Sequence, residues 1–150
     1  MKKSGFTLLE LLIVIAIMGV MSTVLVAVIN PPRQLAKARD VTRETDLLAI
    51  LGAVYQYTSE HSGELPDTDG DPATSNFPAS LTCVGTGGGC FNLGSAGDTG
   101  DEIVPVYLPE IPEDPKTGNA SDTGYEIMVD ANNRLTASAS GETKEIFFTK

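Results

Sequence analysis

Residues 2–29 read KKSGFTLLELLIVIAIMGVMSTVLVAVI, and this run sets the architecture of the chain. Glu10 is the only ionisable side chain between Phe6 and Ile29, and the 19 residues from Leu11 to Ile29 carry no charge. As a helix, that uncharged segment spans ~28 Å, close to the ~30 Å hydrocarbon core of a bilayer. The run therefore predicts a helix that crosses a membrane.

The order of segments differs from that of an ordinary secretory signal. A pair of lysines is followed by Ser4-Gly5 before the apolar run, and no small-residue cleavage site follows the run. Asn30-Pro31-Pro32 stands there instead. Any processing is therefore expected before the helix, so that the helix stays on the mature chain.

Glu10 is costly at the edge of a membrane helix and needs a partner. In one interpretation, Thr7-Leu8-Leu9-Glu10 is a capping box, and Glu10 satisfies the first helical turn. In the other, the Glu10 carboxylate pairs with an ammonium group that a neighbouring subunit buries in the same apolar layer. The residue taken alone fits both interpretations.

The string from Lys2 to Ile17 closely resembles the class III signal and N-terminal helix of type IV prepilins and type II secretion pseudopilins. The resemblance implies that a prepilin peptidase cuts between Gly5 and Phe6 and N-methylates the new Phe6 amine. It also implies that Glu10 pairs with the Phe6 amine of an adjacent subunit. The implied partners are other copies of the chain in a helical filament, the lipid bilayer before assembly, and an inner-membrane assembly platform.

Two further positions bear on this resemblance. Gly19 matches the family's usual helix-loosening glycine. Ala27 stands near the place of the family's common mid-helix proline, and Pro31-Pro32 comes slightly later.

Charge is divided unevenly along the chain. Residues 1–43 carry six basic and two acidic groups, a net +4, whereas residues 44–150 carry four basic and 18 acidic groups, a net −14. So acidic a region is a poor partner for phosphates, and nucleic acid is expected only through a DNA-uptake role.

The same charges bear on topology. Lys2 and Lys3 favour a cytoplasmic N-terminus, whereas the basic groups from Arg33 to Arg43 favour the opposite orientation. We expect a single pass through the cytoplasmic membrane, with the N-terminus inside and the head outside, followed by assembly into a cell-surface pilus or periplasmic pseudopilus. The basic stretch is then expected to face acidic surfaces of neighbouring subunits.

The remaining pattern predicts an α+β fold, in which a long N-terminal helix packs on a small antiparallel sheet. Pro31-Pro32 interrupts the first helix, and an amphipathic helix follows from Arg33 to Thr58, with Gly63 as its cap. The predicted apolar stripe of this helix comprises Leu35, Ala38, Val41, Leu47, Leu48, Ile50, Leu51, Val54 and Tyr55.

Alternating apolar residues predict strands at 125–129, 135–139 and 145–149, and a short edge strand is predicted at 103–108. The expected segments are a leader (1–5), an assembly helix (6–30), an amphipathic helix (31–62) and a globular head (63–150).

The two cysteines, Cys83 and Cys90, are predicted to form a disulfide. Zinc is disfavoured because this spacing and one histidine elsewhere do not supply a tetrahedral site. A disulfide indicates an oxidising compartment, which agrees with an exported head.

No cofactor is expected, and calcium is a weak hypothesis. Asp67, Asp69 and Asp71 alternate as at the start of a calcium loop, but prolines replace the turn glycine and the closing glutamate. Some pseudopilins bind calcium in a later loop, which brings in Glu113, Asp114 and Asp122. A solvated acidic loop is the favoured interpretation for either cluster.

An enzyme is not expected. His61 is a lone histidine, and the sequence has no nucleophile elbow, phosphate loop or dinucleotide fingerprint. The predicted function is that of a structural subunit of a type IV pilus. The alternative is a pseudopilin, since residues 55–66 and 109–118 resemble those of the major pseudopilin. A monomeric membrane-anchored binding protein is a further alternative.

Overall fold

A computed structural model describes residues 5–70 and 74–150, except for the side chain of Ala27. Predictions that concern leader residues 1–4, and the Asp71 part of the calcium hypothesis, lie outside the described residues. The contacts divide the chain into two compact units, Met1–Ala36 and Lys37–Lys150. The architecture is α+β, as predicted, with long N-terminal helices followed by a four-stranded antiparallel sheet.

The first helix, α1, runs Leu8–Ile29. Its two hydroxyl side chains bond to the helix's own carbonyls, Ser22 Oγ donating to Met18 O at 2.8 Å and Thr23 Oγ1 to Val20 O at 2.7 Å. Such internal satisfaction is what an apolar environment requires of polar groups. The apolar side chains of α1 are exposed within their own unit, as expected for a helix whose partner is a bilayer or another chain.

The second helix, α2, runs Pro31–Glu60. The break before it is where the sequence predicts one, because Asn30 has left-handed backbone with φ 48° and Pro31 opens the next helix. The predicted C-terminal cap is also confirmed. Gly63, with φ 99°, donates its N–H to Thr58 O at 2.8 Å.

The buried face of α2 differs in part from the predicted stripe. Its apolar members include Leu47, Ile50, Leu51, Val54 and Tyr57. The expectation that the whole stripe packs inward was wrong for four residues, Leu35, Ala38, Val41 and Leu48, which are all exposed, Leu35 by 59%, Val41 by 60% and Leu48 by 44%. The physical reason is that Asp40 and Arg43, which hydropathy places at the surface, occupy two turns of the inward face.

The sheet consists of β1 (Thr82–Cys83), β2 (Tyr125–Val129), β3 (Leu135–Ala139) and β4 (Ile146–Thr149) in sequential antiparallel order. The C-terminal meander is thus confirmed, and β1 was not predicted. Alternate residues face the core, and they pair in register as Ile127 with Ala137 and Ala139 with Ile146. The apolar face of α2 and these residues belong to one core.

The predicted edge strand at 103–108 is wrong. Ile103–Tyr107 forms a single wide turn, closed by the Leu108 N–H donating to Ile103 O at 2.9 Å. Pro105 has no N–H to offer a strand ladder. Ile103 is fully buried, and its amide bonds to Ala96 O at 2.9 Å, so the segment is anchored to a loop and not to the sheet.

The predicted disulfide is present, with the sulfurs of Cys83 and Cys90 joined at 2.06 Å. Next to it, Phe91 N–H donates to Cys83 O at 2.7 Å and Gly85 N–H donates to Phe91 O at 3.1 Å. The covalent bond therefore fastens the irregular segment after β1 to the edge of the sheet.

Candidate functional site

The predicted cleavage site lies just before α1. Gly5, Phe6 and Thr7 are non-helical and exposed, and Phe6 is 84% exposed. A peptidase must accommodate the scissile bond in an extended form, which a helix interior does not offer. The Gly5–Phe6 bond lies outside the helix, which begins only at Leu8.

Thr7 and Glu10 form the predicted capping box. Glu10 N–H donates to Thr7 Oγ1 at 3.2 Å, and Thr7 N–H donates to Glu10 Oε2 at 2.8 Å. The Thr7 hydroxyl also donates to Oε2, at 2.9 Å. Both residues lie after Gly5, so cleavage at Gly5–Phe6 would leave every member of the box on the mature chain.

The capping box uses one carboxylate oxygen of Glu10. All three bonds end on Oε2 or start from the Glu10 amide, and within residues 5–70 and 74–150 no donor contacts Oε1. The cap and an intermolecular charge pair are therefore compatible, because Oε1 remains available to an incoming ammonium group.

The residues that follow the box suit a bilayer. Leu8–Val26 has the length and composition of a membrane-spanning helix, and none of this window is buried inside the structure. Any membrane insertion would therefore place the Thr7–Glu10 box at one end of the span.

Residues 1–26 match the family model described as the prokaryotic N-terminal methylation motif. The chain carries a prepilin-type signal. This prepilin-type signal indicates a precursor of the type IV pilin-like or pseudopilin kind and points to a structural subunit. It implies processing by a peptidase and assembly into filaments. It also agrees with membrane anchoring before assembly. No curated protein and no solved structure matches the chain.

Beyond the prepilin-type signal, the second unit contains a buried ionic cluster, which we call the Arg43 cluster. Arg43 is 2% exposed and binds Asp114 through Nε and, at 3.2 Å, through Nη2. Its Nη1 donates to Asp40 Oδ1 at 2.7 Å and to Glu142 Oε1 at 3.4 Å. The cluster joins α2 to the 109–118 connector and the loop before β4.

Backbone and hydroxyl donors complete the Arg43 cluster. Asp40 accepts the amides of Glu142 and Thr143, each at 2.8 Å, and Asp114 accepts the amide of Thr117 at 2.8 Å. Within the described residues, no buried side-chain nitrogen or oxygen lacks a partner. Full satisfaction is what allows charges to be buried in a domain this small.

The Arg43 cluster perturbs its acids strongly. Burial alone would raise the pKa of Asp40 and Asp114, but hydrogen bonds from Thr143 to Asp40 and from Arg43 to Asp114 outweigh it. Both pKa values consequently lie well below the ordinary range of aspartate. Bonds from Arg39 and Lys116 lower the pKa of Glu142 to about 2.

The cluster corrects two expectations. Asp114, considered as a calcium ligand, is instead committed to Arg43. The basic stretch was expected to face neighbouring subunits, yet Arg39 and Arg43 pair with acids of their own unit. The sequence did not reveal these ion pairs, because the acids that bind Arg39 and Arg43 lie about 70 to 100 residues further along the chain.

The acidic loops show no metal centre in the part of the chain that the structure describes, where no three His, Cys, Asp or Glu side chains are grouped to hold an ion. Asp69 accepts a hydrogen bond from Thr74 at 3.2 Å, and Asp122 accepts the Gly124 amide at 2.9 Å. The hypothesis for Asp67, Asp69 and Asp71 as a set stays a prediction, because Asp71 is not described.

His61 has a packing role at the end of α2. Its ring stacks on Tyr57, with centroids 3.9 Å apart, and Nδ1 lies 2.9 Å from Tyr57 O. Nε2 faces Asp98 and Asp101 at 3.8 and 3.9 Å. These contacts connect the helix end to the 98–101 loop.

Proposed function

We propose that the protein is a structural subunit of a type IV pilus, cleaved after Gly5 and polymerised through α1. The observation that carries the proposal is the prepilin-type signal, followed directly by a helix with no charge after Glu10. A helix that exposes its apolar side chains within its own unit needs either lipid or other helices around it. A filament core of packed α1 helices supplies the second environment.

In the proposed mechanism, Glu10 fixes the position of each subunit along the filament relative to its neighbour. In the membrane, the capping box limits the cost of its charge. During assembly, the methylated Phe6 amine of an adjacent copy approaches Oε1. The attraction is strong in an apolar layer, and a copy that is out of register leaves two charges unpaired.

A pseudopilus is the second candidate, supported by the resemblance of residues 55–66 and 109–118 to the major pseudopilin. A pilus and a pseudopilus share processing and assembly, but a pilus extends from the cell surface whereas a pseudopilus stays in the periplasm. We therefore propose the pilus as the first candidate and let localisation decide between them.

The test compares the native chain with Gly5→Leu, which puts a bulky side chain at the scissile bond and serves as the uncleaved control. Antibody labelling of intact cells and of the sheared fraction locates the protein. Labelled surface filaments for the native chain alone support the pilus. Labelled periplasmic filaments, with loss of secreted proteins in a deletion strain, support the pseudopilus. A native chain found only as membrane monomers contradicts both.

A further inference from the structure

The second unit has an open groove of about 590 Å³, formed by the segment after β1, the Ile103–Tyr107 turn and the 110–123 region. Its walls are mostly apolar, with Val84, Leu93, Val104 and Ile111 among them. Three carboxylate side chains, Glu102, Glu110 and Glu113, line the same groove. We call this surface the acidic groove.

The carboxylates of the acidic groove have few internal partners. Glu110 and Glu113 are exposed, and within residues 5–70 and 74–150 neither makes a hydrogen bond or ion pair. Glu102 accepts backbone N–H groups of its own residue and of Gly100, which lower its pKa and keep it charged. An apolar floor with three negative charges at its edge is complementary to a ridge that carries apolar side chains and a cation.

Such a ridge is present on α2. Lys37, Val41 and Leu48 are spaced by four and seven residues, which places them on one face of the helix. All three are exposed, Val41 by 60% and Leu48 by 44%. We call this face the α2 ridge. Glu44 lies on the same face between Val41 and Leu48, but its charge is paired with Lys144. The ridge is distinct from the buried face that holds Leu47 and Val54.

Among the described residues, Lys37 has no carboxylate partner and is therefore available for a contact with another chain. In the described part of the second unit, most Lys and Arg side chains pair with carboxylates of the same unit, and only Lys37 and Lys150 have no such partner. The paired cations are Arg39, Arg43, Lys116, Arg134 and Lys144. Lys37 is thus a cation without a partner among the described residues, and it lies on the α2 ridge with the exposed Val41 and Leu48.

We infer that the α2 ridge of one copy docks into the acidic groove of the next copy, with Lys37 against Glu110 and Glu113 and with Val41 and Leu48 on the apolar floor. The inference rests on the proposed filament function. The ridge and the groove share no residue, so the contact is heterologous. A heterologous contact leaves a free ridge and a free groove at the two ends, and it can continue into a filament.

The test uses full-length chains in cells and measures the sheared filament. Lys37→Glu and Glu110→Lys should each cause a several-fold loss, because each puts like charges against one another. The Lys37→Glu/Glu110→Lys double variant should restore filaments, since the pair is re-formed with reversed signs. Lys150→Glu and Glu64→Lys are the matched charge controls, and both should leave the yield unchanged.

The apolar part is tested with Val41→Ser/Leu48→Ser, against Leu81→Ser as an exposed apolar control outside the ridge and the groove. A several-fold loss is expected only for the ridge variant. In addition, a zero-length carbodiimide coupling of filaments built from two differently tagged copies should join Lys37 of one tag to Glu110 or Glu113 of the other.

Three results would overturn the inference: normal filaments for both single charge variants, no rescue by the double variant, or couplings of Lys37 only to carboxylates outside the groove. Any of these results would contradict only the contact between the α2 ridge and the acidic groove. The proposed function would still stand if the Glu10→Gln variant forms no filaments, because that variant tests assembly through α1. A native chain that forms no filament contradicts the proposed function, and the inference with it.

Discussion

Arg43 and Asp114 form a buried bidentate ion pair between helix α2 and the 109–118 connector. The Arg43 side chain is 2% exposed and that of Asp114 is 4% exposed. The planar guanidinium fork meets both oxygens of one carboxylate, and its third nitrogen reaches Asp40. The pair holds a segment with no regular secondary structure at a fixed position beneath the helix.

Arg43→Met is expected to lower the free energy of unfolding by about 3–5 kcal/mol, because it leaves Asp40 and Asp114 buried without their cation. Arg43→Lys should recover only part of this loss, since an ammonium group cannot bind both acids in fork geometry. Urea unfolding of the detergent-solubilised chain measures the effect. Arg39→Met is the matched control on the same helix, and an equal loss there would contradict the central role of Arg43.

A low pH should reduce the free energy of unfolding of the second unit, because it protonates the acids of the Arg43 cluster. The pKa values of Asp40, Asp114 and Glu142 are lowered in the folded chain, that of Glu142 to about 2. Their contribution to stability is present above the unfolded values, about 4 for such acids, and is lost as the pH falls through the folded values. Urea midpoints should therefore fall steadily below about pH 4.

Glu142→Gln isolates one part of this pH dependence. The variant lacks the Glu142 titration, so its stability should decline less between about pH 4 and about pH 2 than that of the native chain. Glu145→Gln, an exposed acid in the same loop, is the control and should follow the native curve. Parallel curves for all three chains would contradict the assignment.

Glu10→Gln separates the cap from the charge. Glutamine can still accept the Thr7 amide, so membrane insertion should be normal, whereas filament incorporation should be lost with the carboxylate. Thr7→Val is the converse variant: it removes the capping hydroxyl and keeps the charge, and it should assemble. Membrane and sheared fractions are compared by immunoblotting. Normal filaments from Glu10→Gln would mean that Glu10 serves only as a cap.

Removal of the disulfide by Cys83→Ser/Cys90→Ser is expected to lower the free energy of unfolding by about 2–3 kcal/mol, from the loop-closure entropy of so short a ring. The native chain treated with a reductant should show a similar fall in its urea midpoint. An unchanged midpoint in both samples would mean that hydrogen bonds such as Phe91 N–H to Cys83 O suffice to hold the segment.

Local signals in the sequence predicted most of the secondary structure. The break at Asn30-Pro31, the cap at Gly63 and strands β2 and β3 each depend on neighbouring residues, and each was predicted within a residue or two. The Thr7–Glu10 box was predicted for the same reason.

Features that depend on distant partners were not predictable. Hydropathy assigns Arg43 to the surface, and only the fold brings Asp114 to it across 71 residues. β1 is two residues long and is defined by its pairing with Ile127 and Glu126, which no local pattern reveals. The Ile103–Tyr107 segment was predicted to be a strand because its apolar residues are compatible with either an edge strand or a buried turn.

Intact mass and N-terminal sequencing of protein sheared from cells test the central claim most directly. We predict a chain that begins at N-methylated Phe6 and sediments with filaments. A chain that retains Met1 in the membrane, or one cut after the apolar run, would contradict processing and assembly through α1.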